Sequence, residues 1–217
     1  MEHYTENYHC IVHNNLLNNK RYYLFRANYS SKAYLKYLRG KIFEFGCGIG
    51  QNIYNIKENA IGIDISDFAA RECKKRGVNA IKSINGLKNN YDGCLMVHVL
   101  EHLEEPNRIL KEISSKLKSH ARLVLVLPVF KKNLPERKNH GKDISGHLYY
   151  WNFSAINALL NKNGFKIITN KLDYARGFNL FYKLPFAAAL FLIRLSGFVT
   201  NTKEMVIVAE KSIQKKR

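Results

Sequence analysis

No Cys-x-x-Cys pair occurs in this chain, and its four cysteines, Cys10, Cys47, Cys73 and Cys94, lie far apart. That spacing excludes a disulfide framework and a cysteine zinc site, and it points to reduced thiols in a cytoplasmic protein. The first ten residues, MEHYTENYHC, lack the basic-then-apolar pattern of an export signal, so no export is expected. Long apolar runs are missing too: Leu184–Ile193 is about ten residues, too short to span a bilayer. No internal repeat or low-complexity linker divides the 217 residues, a length that suits one domain with a sheet-and-helix core. Acidic residues are few: 17 Asp and Glu face 35 Lys and Arg, a formal charge of +18. Such an excess favours polyanions, either nucleic acid or an anionic membrane surface. The basic residues are nevertheless scattered in short groups such as Lys74-Lys75-Arg76, Lys131-Lys132 and Lys215-Lys216-Arg217, and no appended RNA-binding module is visible.

What the chain does have is alternation. Residues 1–39 are polar and aromatic and read as an N-terminal helical extension, with 22–38 (YYLFRANYSSKAYLKYL) patterned as an amphipathic helix. Further on, the apolar runs Ile42–Phe45, Ala60–Ile65, Gly93–Val97, Arg122–Pro128, Phe165–Thr169 and Met205–Ala209 are expected strands. Helical stretches are expected near 50–58, 67–77, 105–118 and 153–163. This alternation predicts an α/β fold: a doubly wound, mostly parallel sheet with helices on both faces. The last two strands lack a helix-period link, which suits an antiparallel pair at the sheet edge. A single domain results, with a core over 40–171, an apolar insertion over 172–203 and a last strand over 204–211.

The stretch KIFEFGCGIGQNIY (41–54) places Gly46, Gly48 and Gly50 at the end of the first core strand, where open α/β sheets bind ligands. Glycine there permits positive φ and close approach of a ligand to the backbone. A helix after the loop would offer free N–H groups to an anionic group. The spacing is G-x-G-x-G rather than the G-x-G-x-x-G of dinucleotide enzymes, which argues against NAD or FAD. Asp64, in AIGIDIS, ends the second strand, where a carboxylate accepts hydrogen bonds from ribose hydroxyls. A ligand with a ribose and only a small anionic group is expected.

These residues resemble class I S-adenosylmethionine-dependent methyltransferases, in particular the type 11/23 methyltransferase-domain subgroup. The family's E/D-x-G-x-G-x-G loop is matched by Glu44-Phe45-Gly46-Cys47-Gly48-Ile49-Gly50, and its acidic strand-two end by Asp64. YDGCLMVHVLEHLEEPNRILKEISSKLKSHARLVLVLP (91–128) is similar to its fourth strand, next helix and fifth strand. GHLYYWNFSAINALLNKNGFKI is similar to its later helix and sixth strand. The resemblance covers roughly residues 40–170 and the last strand. It implies a seven-stranded Rossmann-like sheet, an antiparallel last strand and S-adenosylmethionine as cofactor. It further implies that Glu44 shapes the methionine pocket lined by the backbone of Gly46, Cys47 and Gly48, within the loop that ends at Gly50. Asp64 and Ile65 would hold ribose and adenine, Ser83 and Ile84 the adenine edge, and Val97 and His98 would face the sulfonium. IKSINGL departs from the family at Lys82, Ser83 and Ile84, where an acidic residue is usual.

In HVLEHLEE, His98, Glu101 and His102 stand at i, i+3 and i+4 and would share a helical face. Imidazole titrates near neutral pH, so His98 or His102 is a candidate general base for a hydroxyl acceptor, with Glu101 beside it. The alternative is a structural role, with Glu101 and His102 capping the strand-to-helix junction. The same stretch also resembles the E-x-x-E-H metal site of ubiquinone-pathway and small-RNA 2′-O-methyltransferases. His98 replaces the first Glu, and His147 would be a fourth ligand; with that substitution no metal is expected. His3, His9 and His13 show no ligand spacing.

The apolar insertion LFYKLPFAAALFLIRLSGFV (180–199) has two readings, a core helix or pocket lid, and an interfacial element whose Lys183 and Arg194 meet headgroups. The sequence therefore predicts a methyltransferase acting on a hydroxyl of a small molecule, glycan or lipid-linked intermediate, cytoplasmic or peripherally membrane-associated. The competing expectations are an RNA 2′-O-methyltransferase and a non-catalytic partner protein that keeps the fold.

Overall fold

The computed structural model describes residues 13–129 and 146–212, together with Glu6, Cys10 and Ile11. The basic groups at 131–132 and 215–217, and His3 and His9, lie outside the described residues. In chain order the elements are α1 (Asn14–Asn18), α2 (Lys20–Ala33), β1 (Ile42–Phe45), β2 (Ala60–Ile63), α3 (Asp67–Lys75), β3 (Ala80–Ile81) and β4 (Tyr91–Val97). They continue with α4 (Pro106–Lys116), β5 (Leu117–Pro128), α5 (Phe153–Lys162), β6 (Phe165–Tyr174), α6 (Phe178–Phe181), α7 (Phe186–Val199) and β7 (Lys203–Lys211). Local chemistry starts several helices. Asn19, Ser66 and Asn152 cap α2, α3 and α5 through their side chains, and Pro106 opens α4 where no N–H is needed.

The strands form one sheet in the order β3-β2-β1-β4-β5-β7-β6. β1 to β5 pair in parallel, whereas β7 runs antiparallel to both β5 and β6. The seven-stranded sheet and its antiparallel last strand agree with the sequence-based expectation. Within β5, Leu123, Leu125 and Leu127 pack on one side with Leu110 and Ile113 of α4 and Ile156 and Leu160 of α5. Val124 and Val126 point to the other side, with Phe25 and Tyr29 of α2 and Ala189 and Ile193 of α7. Both faces are therefore covered, which explains why these strands read as unbroken apolar runs.

Two expected helical segments are not regular helices. Residues 50–58 form turns and a 3-10 segment, Tyr54–Asn59, broken at Ile56 (φ −124°, ψ 19°). The asparagines there bond elsewhere: Asn52 donates to Glu44, and Asn55 to Asn28 and Ser31. With no helix following the glycine loop, an anion site at a helix N-terminus is not formed there. His98, Glu101 and His102 likewise share no helical face, because His98 has φ +52° and only Leu100–His102 makes a single 3-10 turn. Among the described residues no helix is long and apolar enough to cross a membrane.

Candidate active site

The carboxyl ends of β1, β2 and β4 open onto a cavity of about 780 Å³, within the roughly 300–1,000 Å³ usual for small-molecule sites. Gly46 and Gly48 line it with φ of +74° and +52°, and Gly50 closes the loop at +81°, a region side chains rarely adopt. A Cβ on Gly46 would stand 2.3 Å from Val99 Cγ2, so only bare backbone fits where the loop meets the segment after β4. The amides of Gly46 and Cys47 donate to the Ile63 carbonyl at 2.8 and 3.0 Å. Asp64 completes the seam: Oδ2 accepts from Gly48 N at 2.8 Å, and Oδ1 from Ser66 N at 3.0 Å. Each oxygen keeps a second lone pair for a ligand hydroxyl.

Gly46, Cys47, Gly48, Asp64, Ile65, Val97, His98 and His102 all line this cavity. Glu44 lies fully buried beneath it and acts through Asn52, a wall residue whose Nδ2 donates to Glu44 Oε1 at 2.7 Å. Burial, only partly opposed by the Asn52 bond, pushes the Glu44 carboxyl well above the usual carboxylate range. Gly50 packs behind the loop near Val78 and Cys73. Ser83 and Ile84 are not on the wall. Ser83 Oγ caps a turn by accepting from Asn85 N at 3.2 Å, and Ile84 belongs to the core.

At the other end of the cavity, Glu101 is completely buried, and among the described residues neither carboxylate oxygen has a hydrogen-bond partner. His98 Nδ1 lies 3.5 Å from Glu101 Oε1, and His98 Nε2 lies 3.0 Å from Glu204 Oε2. Burial disfavours the imidazolium, but the two carboxylates outweigh it and raise the His98 pKa to about 9. His98 is thus a cation at neutral pH rather than a ready base. His102 Nδ1 stands 3.1 Å from the Gly146 carbonyl, which can only accept, and His102 Nε2 lies 3.9 Å from Glu101 Oε1. The Glu101 carbonyl accepts from Leu148 N and Tyr149 N, which ties the GHLYYW segment to this turn. In consequence ligand atoms of Glu101, His102 and His147 lie within 4.8 Å of one another, a group able to hold a cation.

Several wall residues had no motif to announce them. His13, Asn14, Asn15 and Leu16 around α1, Tyr22 and Arg26 of α2, and Gln51 all reach the cavity. Arg26 sits over the Phe178 ring at 4.3 Å, and among the described residues its Nε has no hydrogen-bond partner. The only sequence signals were the aromatic richness of 1–40 and the Gln-Asn pair after the glycine loop. None of residues 180–199 lines the cavity, whereas Ala189 and Ile193 pack in the core, so of a core helix and a pocket lid the structure shows a core helix.

A methyltransferase-domain family model matches residues 18–170, more than half of the chain. The chain belongs to that methyltransferase-domain family. No curated protein matches it. Among solved structures, it is similar to a SAM-dependent methyltransferase from Archaeoglobus fulgidus. The identity is 20%, over 93% of this chain and 99% of that one, with a TM-score of 0.61. It is also similar to magnesium protoporphyrin IX methyltransferase from Synechocystis PCC 6803 with bound S-adenosylhomocysteine. There the identity is 17%, over 88% and 84%, with a TM-score of 0.58. A protein described as a cyclase shares the fold as well, at 17% identity over 86% and 80%, with a TM-score of 0.57. Fold alone therefore does not decide what reaction a methyltransferase domain performs. S-adenosylmethionine, this family's methyl donor, suits the cavity. The bare backbone of Gly46 and Gly48 lines it, the Asp64 carboxylate follows β2, and polar Gln51 and Asn52 share the wall with apolar Ile65 and Leu103.

Proposed function

We propose that the protein is an active methyltransferase that methylates a hydroxyl of a small-molecule, glycan or lipid-linked acceptor. The observation that supports this reading is His102, a cavity residue whose Nδ1 faces the Gly146 carbonyl and whose Nε2 stands 3.9 Å from the buried Glu101 carboxylate. When bound, S-adenosylmethionine supplies an electrophilic methyl group on sulfonium. Asp64 would hold the ribose hydroxyls, and Arg26 the carboxylate of the methionine moiety, with Gln51 and Asn52 beside it. His102 Nε2 would take the hydroxyl proton as the acceptor oxygen bonds to the methyl carbon and the carbon–sulfur bond breaks. His98, held cationic between Glu101 and Glu204, would keep that end of the site polar and fixed rather than accept the proton.

The test is incubation with radiolabelled cofactor and cell extract, followed by separation into lipid, glycan, small-molecule, RNA and protein fractions. Label in the first three supports the reading; label confined to RNA overturns it in favour of an RNA 2′-O-methyltransferase. Cofactor binding without any transfer would mark a non-catalytic partner.

The grouping of Glu101, His102 and His147 favours a metal-assisted second reading. These three residues would hold a divalent cation, which would lower the pKa of an acceptor hydroxyl. Turnover that is unchanged after metal stripping removes this variant, whereas loss with recovery on adding Mg²⁺ or Mn²⁺ supports it.

A further inference from the structure

We propose that the outward face of α7 docks on an anionic lipid bilayer, lying flat in the headgroup layer. α7 is apolar on both sides. Its inner side, Ala189, Ile193 and Gly197, is buried, and a Cβ on Gly197 would stand 2.4 Å from Ala175 N, so this side is already seated on the fold. Its outer side presents Phe191, Leu195, Phe198 and Val199, which are 65%, 46%, 68% and 74% exposed. Positions i, i+4, i+7 and i+8 fall on one helical stripe. A stripe that apolar on the surface of a folded domain calls for a partner that takes it out of water.

Charge identifies the partner. From Tyr174 to Lys203 the chain holds no acidic residue but carries Arg176, Lys183, Arg194 and Lys203. Arg194 lies on the exposed side of α7, and Lys203 Nζ sits 5.5 Å from the Tyr174 ring, against which Phe198 packs. Aromatic and aliphatic side chains framed by lysine and arginine are the composition of helices that lie in anionic membrane interfaces. A second copy of the chain is disfavoured, because both faces would carry the same cations within molecules of formal charge +18.

The face also adjoins the site. Just before α7, Tyr182 packs edge-on against the cavity residue Tyr22, with ring centres 5.3 Å apart. Just after it, β7 begins beside the carboxyl end of β5, with Glu204 opposite Pro128 and in contact with His98. Docking would thus hold the acceptor end of the cavity close to lipid. That consequence selects the lipid-linked acceptors and rests on the proposed function; the docking itself does not.

The experiment is sedimentation of the full chain with phosphatidylcholine vesicles, with and without phosphatidylglycerol, a readout that needs no turnover. The wild type is expected to sediment with the anionic vesicles and at least tenfold less with the neutral ones. Phe191→Ser/Phe198→Ser is expected to lose at least tenfold in vesicle affinity while its thermal melt and cofactor binding stay as in the wild type. Lys183→Glu/Arg194→Glu, which leaves the apolar stripe intact, is expected to lose the preference for anionic lipid and carries the test if the first variant does not fold. The proposal is overturned if the wild type sediments with neither kind of vesicle, or if both variants sediment as the wild type does. It is also overturned if the phenylalanine variant instead abolishes a self-association seen by ultracentrifugation, or abolishes retention of a homopolymeric RNA.

Discussion

His98 Nε2 lies 3.0 Å from Glu204 Oε2, although 106 positions separate the two residues in the chain. The other Glu204 oxygen accepts from the Tyr34 hydroxyl at the end of α2, so three distant segments meet at this carboxylate. Glu204→Gln should keep the Tyr34 bond and remove one of the two charges that raise the His98 pKa. The folded value, about 9, exceeds the ordinary 6.5. The stabilisation is therefore complete below pH 6.5 and lost as pH rises through about 9. In the variant, the His98 pKa should fall, and the stability difference between those two pH values should shrink. Histidine NMR titration and melts across that range check both, and an unmoved pKa would mean the ion pair is not formed in solution.

Asp64→Ala should weaken cofactor binding by about 1–3 kcal/mol, from lost ribose hydrogen bonds and from the freed Gly48 amide. Calorimetry with S-adenosylhomocysteine measures it, and unchanged affinity would show that the ribose lies elsewhere.

Gly46→Ala should destabilise the fold by at least ~1–2 kcal/mol, the cost of a left-handed backbone for a residue with a Cβ. The clash with Val99 adds to this. Val99→Ala in the same chain should recover part of the loss, leaving the backbone cost. Denaturant melts of both singles and the double test it; strict additivity would mean the two residues do not touch.

Arg26→Met keeps most of the side-chain volume and removes the guanidinium. Cofactor affinity should drop by ~1.5–3 kcal/mol, the worth of hydrogen bonds to a charged group, with little change in adenosine affinity. Equal losses for adenosine and for the whole cofactor would remove Arg26 from the carboxylate end.

His102→Ala should reduce kcat by about a hundred- to ten-thousand-fold, the range for a lost general base, with cofactor affinity nearly unchanged. Single-turnover kinetics with an identified acceptor provides the measurement. Full activity would return His102 to a structural role.

Much of the fold was legible because a sheet covered on both faces needs apolar strands, and β1, β2, β4 and the 123–127 part of β5 are largely apolar. The glycine loop was legible for a similar reason, since positive φ leaves few residue choices at Gly46 and Gly48. Residues 50–58 were misread as helix because their apolar spacing fits a helix, while Asn52 and Asn55 use their side chains to tie the loop to Glu44 and α2. The geometry of the His98–Glu101 turn depends on a left-handed His98, which no periodicity reveals. Arg26 and Glu204 reach the site through tertiary packing of a flanking helix and of an antiparallel strand. Neither sits in a motif, so spacing alone could not have found them.

β7 is the last strand in chain order, yet it lies between β5 and β6. As the chain emerges during synthesis, the apolar edge of β5 stays open and β6 has no neighbour in the sheet until residues 203–211 appear. Such late, long-range pairing slows folding and leaves a strand edge open to other chains in the meantime. The final strand thus works as an internal guard against aggregation, and truncating it would expose an edge before it disturbed the cofactor loop.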